Sequence, residues 1–204
     1  MKWIALFLGL AMAAAWGVAI SWSRASQGQN DFLAFYCGAK LAGTPELHSA
    51  EAMTRLQQEY AQIQMPGVLY IRPDYYALLL KPLSLLSYRK AHAVFQLANL
   101  LALLAFLALF RERRLVLYMA AMSVPLVTSF MNGQDVPLLL LFLGLTYVLE
   151  KRGAPFTAGL CLALCTIKPH LFLFVPIALI LWRKWRVLAG ASAGVAALTA
   201  AAMT

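Results

Sequence analysis

Uncharged apolar runs, broken by short charged clusters, set the pattern of this chain. Residues 3–23 carry no charge, and a helix of about 20 apolar residues is what a bilayer core requires. The run continues past Ala13-Ala14-Ala15 to Trp22, longer than the apolar core of about 7–15 residues in a cleavable signal. It therefore predicts an uncleaved first span with Trp3 and Trp22 as interfacial anchors. Further runs follow at 75–86, 91–110, 115–130, 136–149, 154–167, 171–182 and 187–204. The first of these is interrupted by Lys81-Pro82 and is too short to span comfortably. Between residues 24 and 73 the pattern predicts two short helices. One covers 32–41, closed by Gly43-Thr44-Pro45; the other covers 49–64, with Ser49 as N-cap and Pro66-Gly67 as its stop. Neither reaches spanning length, so both are expected to lie along the membrane.

The predicted fold is all-α, a polytopic transmembrane helical bundle forming a single domain over residues 1–204. Residues 3–23 are the first span, 24–90 an outer loop with interfacial or re-entrant helices, and 91–204 the remaining spans. Gly190 and Gly194 have the GxxxG spacing that suits close helix contact. The last run stops at Thr204 without a polar flank, so the chain reads as the N-terminal portion of a longer protein. Composition agrees with a membrane reading. The hydrophobic share is 62% and mean hydropathy +0.73, against an apolar share of about 45–50% in soluble domains.

The net charge of +9 does not point to nucleic acid, because the basic residues gather between apolar runs: Arg111, Arg113 and Arg114; Lys151 and Arg152; Arg183, Lys184 and Arg186. Such clusters mark the cytoplasmic side. If 75–86 does not cross, all three clusters fall inside with Lys2, opposed only by Glu112 and Glu150. If it crosses, all three face outward, against the rule. Cys37, Cys161 and Cys165 form no CxxC pair, and no disulfide framework or zinc site is expected. No Asp-x-Asp pair argues for a divalent metal, so neither metal nor cofactor is expected.

This topology collects Asp31, Arg72, Asn132, Gln134, Asp135, Lys168 and His170 on the outer side. The set suits chemistry with an anionic leaving group. A carboxylate takes a proton from an attacking hydroxyl while Lys, Arg and protonated His stabilise the departing phosphate. Each residue also has a plainer reading. Asp31 is a solvated acid near the bilayer, Lys168 snorkels to the interface, and Asn132-Gly133-Gln134 is a hairpin turn. His92, Gln96 and Asn99 share one helical face, where interhelical hydrogen bonding is the favoured reading. A transporter or channel is the competing class, since it also uses short interrupted helices and polar groups at depth; a noncatalytic scaffold is a third.

At several short motifs the chain resembles the polyprenol-phosphate-dependent glycosyltransferases of family 87, within the multispanning GT-C class. The motifs are Asp31-Phe32 followed by Tyr36 and Ala39; Tyr70 and Pro73 ahead of Ala77 to Leu83; Asn132-Gly133-Gln134; and Lys168-Pro169. Their order and spacing carry the resemblance over nearly the whole chain. Two departures stand out: Asp74 where a second proline is expected beside Pro73, and Phe35 where another aromatic is expected beside Tyr36. The resemblance implies transfer of a hexose, most often mannose, from a polyprenyl-phosphate donor to an acceptor hydroxyl at the outer membrane face. Asp31 is then the general base; Lys168, His170 and Arg72 bind the donor phosphate; Tyr36, Asn132, Gln134 and Asp135 line the substrate cavity. The implied partners are the lipid-linked sugar donor, a lipid or glycan acceptor, and membrane lipids. Short loops fit a bacterial inner membrane with the site outward.

Overall fold

The computed structural model describes residues 27–28, 30–60, 68–110 and 123–203. The expected span at 3–23, the Arg111, Arg113 and Arg114 cluster, and the first part of the expected span at 115–130 lie outside the described residues. Among the described residues every regular element is helical. In chain order they are α1 (Phe32–Leu41), α2 (Ala50–Tyr60), α3 (Asp74–Leu80), α4 (Tyr88–Ala108), α5 (Val124–Asn132), α6 (Val136–Lys151), α7 (Pro155–Ala163), α8 (Val175–Leu181) and α9 (Trp185–Ala202).

Local chemistry explains several boundaries. Ser49 caps α2, its Oγ accepting from the Ala52 N–H at 3.3 Å, which satisfies one of the free donors of the first turn. Beyond Leu80 the Lys81-Pro82 break is a 3₁₀ helix over Lys81–Leu85, since proline supplies no N–H to an α-helical ladder. Asp74 is the first residue of α3, where the helix dipole favours an acid, and its carboxylate meets His48 Nε2 at 2.7 Å.

Helix α1 has nine of its ten residues buried. It is a core helix with no apolar face left for lipid, unlike the interfacial helix its length suggested. Phe32 and Phe35 pack on Phe95 of α4, with ring centroids 4.9 and 5.9 Å apart. Helix α4 is turned inside out relative to a soluble helix. Val94, Leu97, Leu100, Leu101 and Leu104 are exposed, whereas His92 and Asn99 are buried. Helices α4 and α9, of 21 and 18 residues, are long and apolar enough to cross a membrane.

Among the described residues, α7 and α9 approach each other closely enough to require glycine. A Cβ on Gly159 would come within 2.1 Å of the Val187 carbonyl oxygen, and one on Gly190 within 2.1 Å of the Phe156 carbonyl oxygen. Gly190 and Gly159 therefore meet backbone against backbone, and Gly194 makes room for the Ala163 side chain.

Three helix ends share one C-cap geometry. After α5, Gln134 N–H reaches Ser129 O at 2.8 Å and Gly133 N–H reaches Phe130 O at 3.4 Å. After α6, Ala154 N–H bonds Leu149 O and Gly153 N–H bonds Glu150 O; after α8, Lys184 N–H bonds Leu179 O and Arg183 N–H bonds Ile180 O. This Schellman pattern needs a left-handed residue at the turn. Gly133 and Gly153 supply it with φ of 64° and 77°, but the third turn uses Arg183 at φ 55°. A side chain in that region costs roughly 1–2 kcal/mol.

Candidate active site

Gly133 is needed at its turn for space as well as for φ. A Cβ there would lie 2.8 Å from Asn30 Nδ2 and from Phe32 Cβ. With only hydrogen at that position, the chain entering α1 lies against the turn, and the Asp31 N–H donates to Asn132 O at 3.0 Å. Residues about a hundred positions apart are thereby pinned together. Asp31 precedes α1 at the N-cap position yet makes no side-chain cap bond. Its carboxylate accepts instead from Gln134 Nε2 through Oδ2.

From Gln134 the contacts run inward. Lys168 Nζ donates to Gln134 Oε1 at 2.9 Å and lies 3.0 Å from Asp135 Oδ1. Arg72 approaches the same Asp135 oxygen at 3.5 Å, and its other arm donates to Ile167 O at 3.2 Å. That carbonyl ends the 3₁₀ segment Leu164–Ile167, where no helical N–H follows to satisfy it. The Gln134 amide has one admissible orientation. Reversing it would set NH₂ against the Lys168 ammonium and C=O against the Asp31 carboxylate.

Burial separates the two acids. Asp135 is 0% exposed and shared between two cations, themselves 4% (Lys168) and 7% (Arg72) exposed. Asp31 is only half-buried. Tyr76 is also fully enclosed, and burial, reinforced by the Asp135 carboxylate, holds its phenol well above the ordinary range. Burial likewise raises the Tyr70 phenol. Both stay protonated at any physiological pH.

Of the residues singled out in the sequence, Asp31, Arg72, Gln134, Asp135 and Lys168 form this connected chain. Asn132 joins through its backbone carbonyl while the residue itself is exposed. His170 is exposed and stands outside these contacts. Tyr36 is in the aromatic core, its hydroxyl donating to Leu86 O at 2.8 Å. On the polar face of α4, Gln96 Nε2 donates to Phe130 O at 2.7 Å, an interhelical bond. The group that sequence reasoning passed over is Asn30. Its Oδ1 accepts from Tyr88 OH at 3.0 Å and its Nδ2 lies 3.2 Å from His92 Nε2. The amide assignment makes His92 Nε2 the acceptor. An amide side chain immediately before Asp31 was the available signal.

Among the described residues the protein is all-helical, with two helices long and apolar enough to cross a membrane, and α4 turns large apolar side chains outward while burying His92 and Asn99. The profile of glycosyltransferase family 87 matches residues 70–204 of the 204, and the chain belongs to that family. No curated protein and no solved structure matches it. The match begins at Tyr70, so Arg72, Asn132, Gln134, Asp135, Lys168 and His170 fall within it. Asp31 and Tyr36 lie ahead of it, a narrower coverage than the motif order suggested.

Proposed function

We propose that this chain carries the donor-side site of an enzyme that transfers a hexose, mannose first among candidates, from a polyprenyl-phosphate carrier to an acceptor hydroxyl. The site faces the outer side of a bacterial inner membrane. Family membership supports sugar transfer; the lipid-phosphate donor follows from the resemblance and from the charge of the site. One observation carries the assignment of roles: a half-buried carboxylate, Asp31, hydrogen-bonded through Gln134 to a buried cationic pair that shares a single carboxylate.

Asp31 is the general base. It accepts the acceptor hydroxyl proton as that oxygen bonds to the sugar anomeric carbon and the bond from that carbon to the phosphate oxygen breaks. The electron pair leaves on polyprenyl phosphate, and direct displacement inverts the anomeric centre. Asp135 is a poor candidate for this base, because it is enclosed and its charge is already spent on two cations. Lys168 and Arg72 bring two positive charges against that one carboxylate, leaving a surplus positive charge for the donor phosphate, with exposed His170 as the third proposed contact. Gln134 fixes the direction of the Asp31 carboxylate.

Full-length protein in native-like membranes, supplied with polyprenyl-phosphate mannose carrying a labelled sugar, tests the proposal. Label moving into a lipid or glycan acceptor is the expected result. No transfer from mannosyl or glucosyl phospholipid donors, with the protein folded, would remove the enzyme reading and return the transporter or scaffold to first place.

A further inference from the structure

The end of the bundle remote from Asp31 contains a cavity that the transfer reaction does not use. Helix α6 separates the two; its 16 residues cover about 24 Å at 1.5 Å per residue. The cavity, about 630 Å³, lies between the turn after α6 and the turn after α8, and its lining includes Glu150, Gly153, Arg183, Lys184, Trp185 and Arg186. We infer that it binds the phosphate headgroup of an anionic membrane lipid, with Arg183 as its principal contact.

The two turns that flank the cavity have the same hydrogen-bond pattern but different residues at the left-handed position. Gly153 takes φ 77° in one and Arg183 takes φ 55° in the other. Arg183 is the one non-glycine residue with positive φ among the described residues. The Gly153 position is not kept as glycine for lack of room, since a Cβ there would meet nothing within 4 Å. Glycine is the low-strain choice for such a turn, and Arg183 holds the position at a backbone cost. Backbone strain of this kind is a reason to look for a ligand contact, and here the strained residue lines a cavity.

Charge identifies the ligand. Lys184 Nζ is paired with Glu150 Oε1, and no described carboxylate forms an ion pair with Arg183 or Arg186. Arg183 and Arg186 line the cavity without an ion-pair partner among the described residues, while the lining carboxylate, Glu150, is held by Lys184; guanidinium matches phosphate in a bidentate fashion. Surroundings identify the source. Trp182 is 71% and Leu181 75% exposed beside the cavity, and Trp185 opens the membrane-length helix α9. Exposed tryptophan at the end of such a helix marks the headgroup level of a bilayer, where basic pockets between helices take anionic lipid.

The test uses the full-length protein in detergent, with bound lipid counted by native mass spectrometry during titration with phosphatidylglycerol or phosphatidylcholine of equal chain length. Wild type is expected to prefer phosphatidylglycerol. Arg183→Gly and Arg186→Gln are each expected to weaken phosphatidylglycerol about fivefold and to leave phosphatidylcholine unchanged. Arg183→Gly also relieves the turn, so its thermal midpoint should equal or exceed that of wild type, which separates lost binding from misfolding. Equal phosphatidylglycerol affinity in wild type and both variants would overturn the inference. Displacement of the lipid by inorganic phosphate at equal concentration would overturn the lipid assignment in favour of a soluble anion.

Discussion

Replacing Asp135 by asparagine should damage the fold more than removing either of its partners. The Lys168 ammonium is 3.0 Å and the Arg72 guanidinium 3.5 Å from Asp135 Oδ1. At an effective dielectric of about 20, each contact is worth roughly 5 kcal/mol of attraction, much of it offset by the cost of burying the charges. Asp135→Asn removes both attractions and leaves two cations enclosed without their anion, a loss of about 3–5 kcal/mol. Lys168→Met leaves a neutral Asp135–Arg72 pair, and its cost should stay near the roughly 1.5–3 kcal/mol of a charge-assisted contact. In the double variant one cation and no anion remain, so its loss should fall at least about 1 kcal/mol short of the sum of the single losses. Denaturant or thermal unfolding of the full-length protein in one detergent supplies the four stabilities of this cycle. If Asp135→Asn proves no worse than Lys168→Met, or the cycle shows no coupling, the buried pairing described above does not organise the site.

Two further predictions concern packing and topology. Gly159→Ala would drive a methyl group toward the Val187 carbonyl oxygen and the Ala191 nitrogen, at 2.1 and 2.6 Å. Overpacking against backbone should cost about 1–3 kcal/mol, read as a lowered unfolding midpoint; a midpoint equal to that of wild type would mean that α7 and α9 slide apart freely. Single cysteines placed at 134 and 152, at opposite ends of α6, should label from opposite sides with an impermeant reagent, position 152 from the cytoplasm. Outward labelling at 152 would invert the arrangement.

The helices were legible wherever local chemistry is decisive. The helix at 32–41 was closed correctly by Gly43-Thr44-Pro45, Ser49 announced its own cap, and the Lys81-Pro82 interruption falls where the chain changes to a 3₁₀ helix. Less legible was what each helix touches. An apolar decamer fits a membrane surface and a protein core equally well by composition, and only the tertiary contacts of Phe32, Phe35 and Tyr36 make α1 a core helix. Five members of the polar cluster, Asp31, Arg72, Gln134, Asp135 and Lys168, could be listed from the sequence, but not Asn30, and not the wiring. Asp31 and Asp135 are both acids on one side, and nothing in their neighbours along the chain says that one is enclosed between Lys168 and Arg72 while the other stays half-exposed. The Asn132-Gly133-Gln134 motif was likewise open to two readings. It is a helix end and a docking point at once, because the hydrogen on Gly133 Cα is what admits Asn30 and Phe32. Asp74, a departure from the family pattern, is accommodated at a helix start beside His48.

The central claim is that Asp31 takes the proton from the acceptor. Asparagine at this position keeps an oxygen to accept from Gln134 Nε2, so the turn and the unfolding midpoint should be retained while basicity is lost. The direct measurement is the rate of labelled sugar transfer by full-length Asp31→Asn at saturating donor, with donor binding measured on the same preparation. Transfer slowed by roughly 10²–10⁴-fold with binding preserved is the predicted result. A rate near that of wild type would contradict the account and leave Asp31 as no more than the residue that joins α1 to the Gly133 turn.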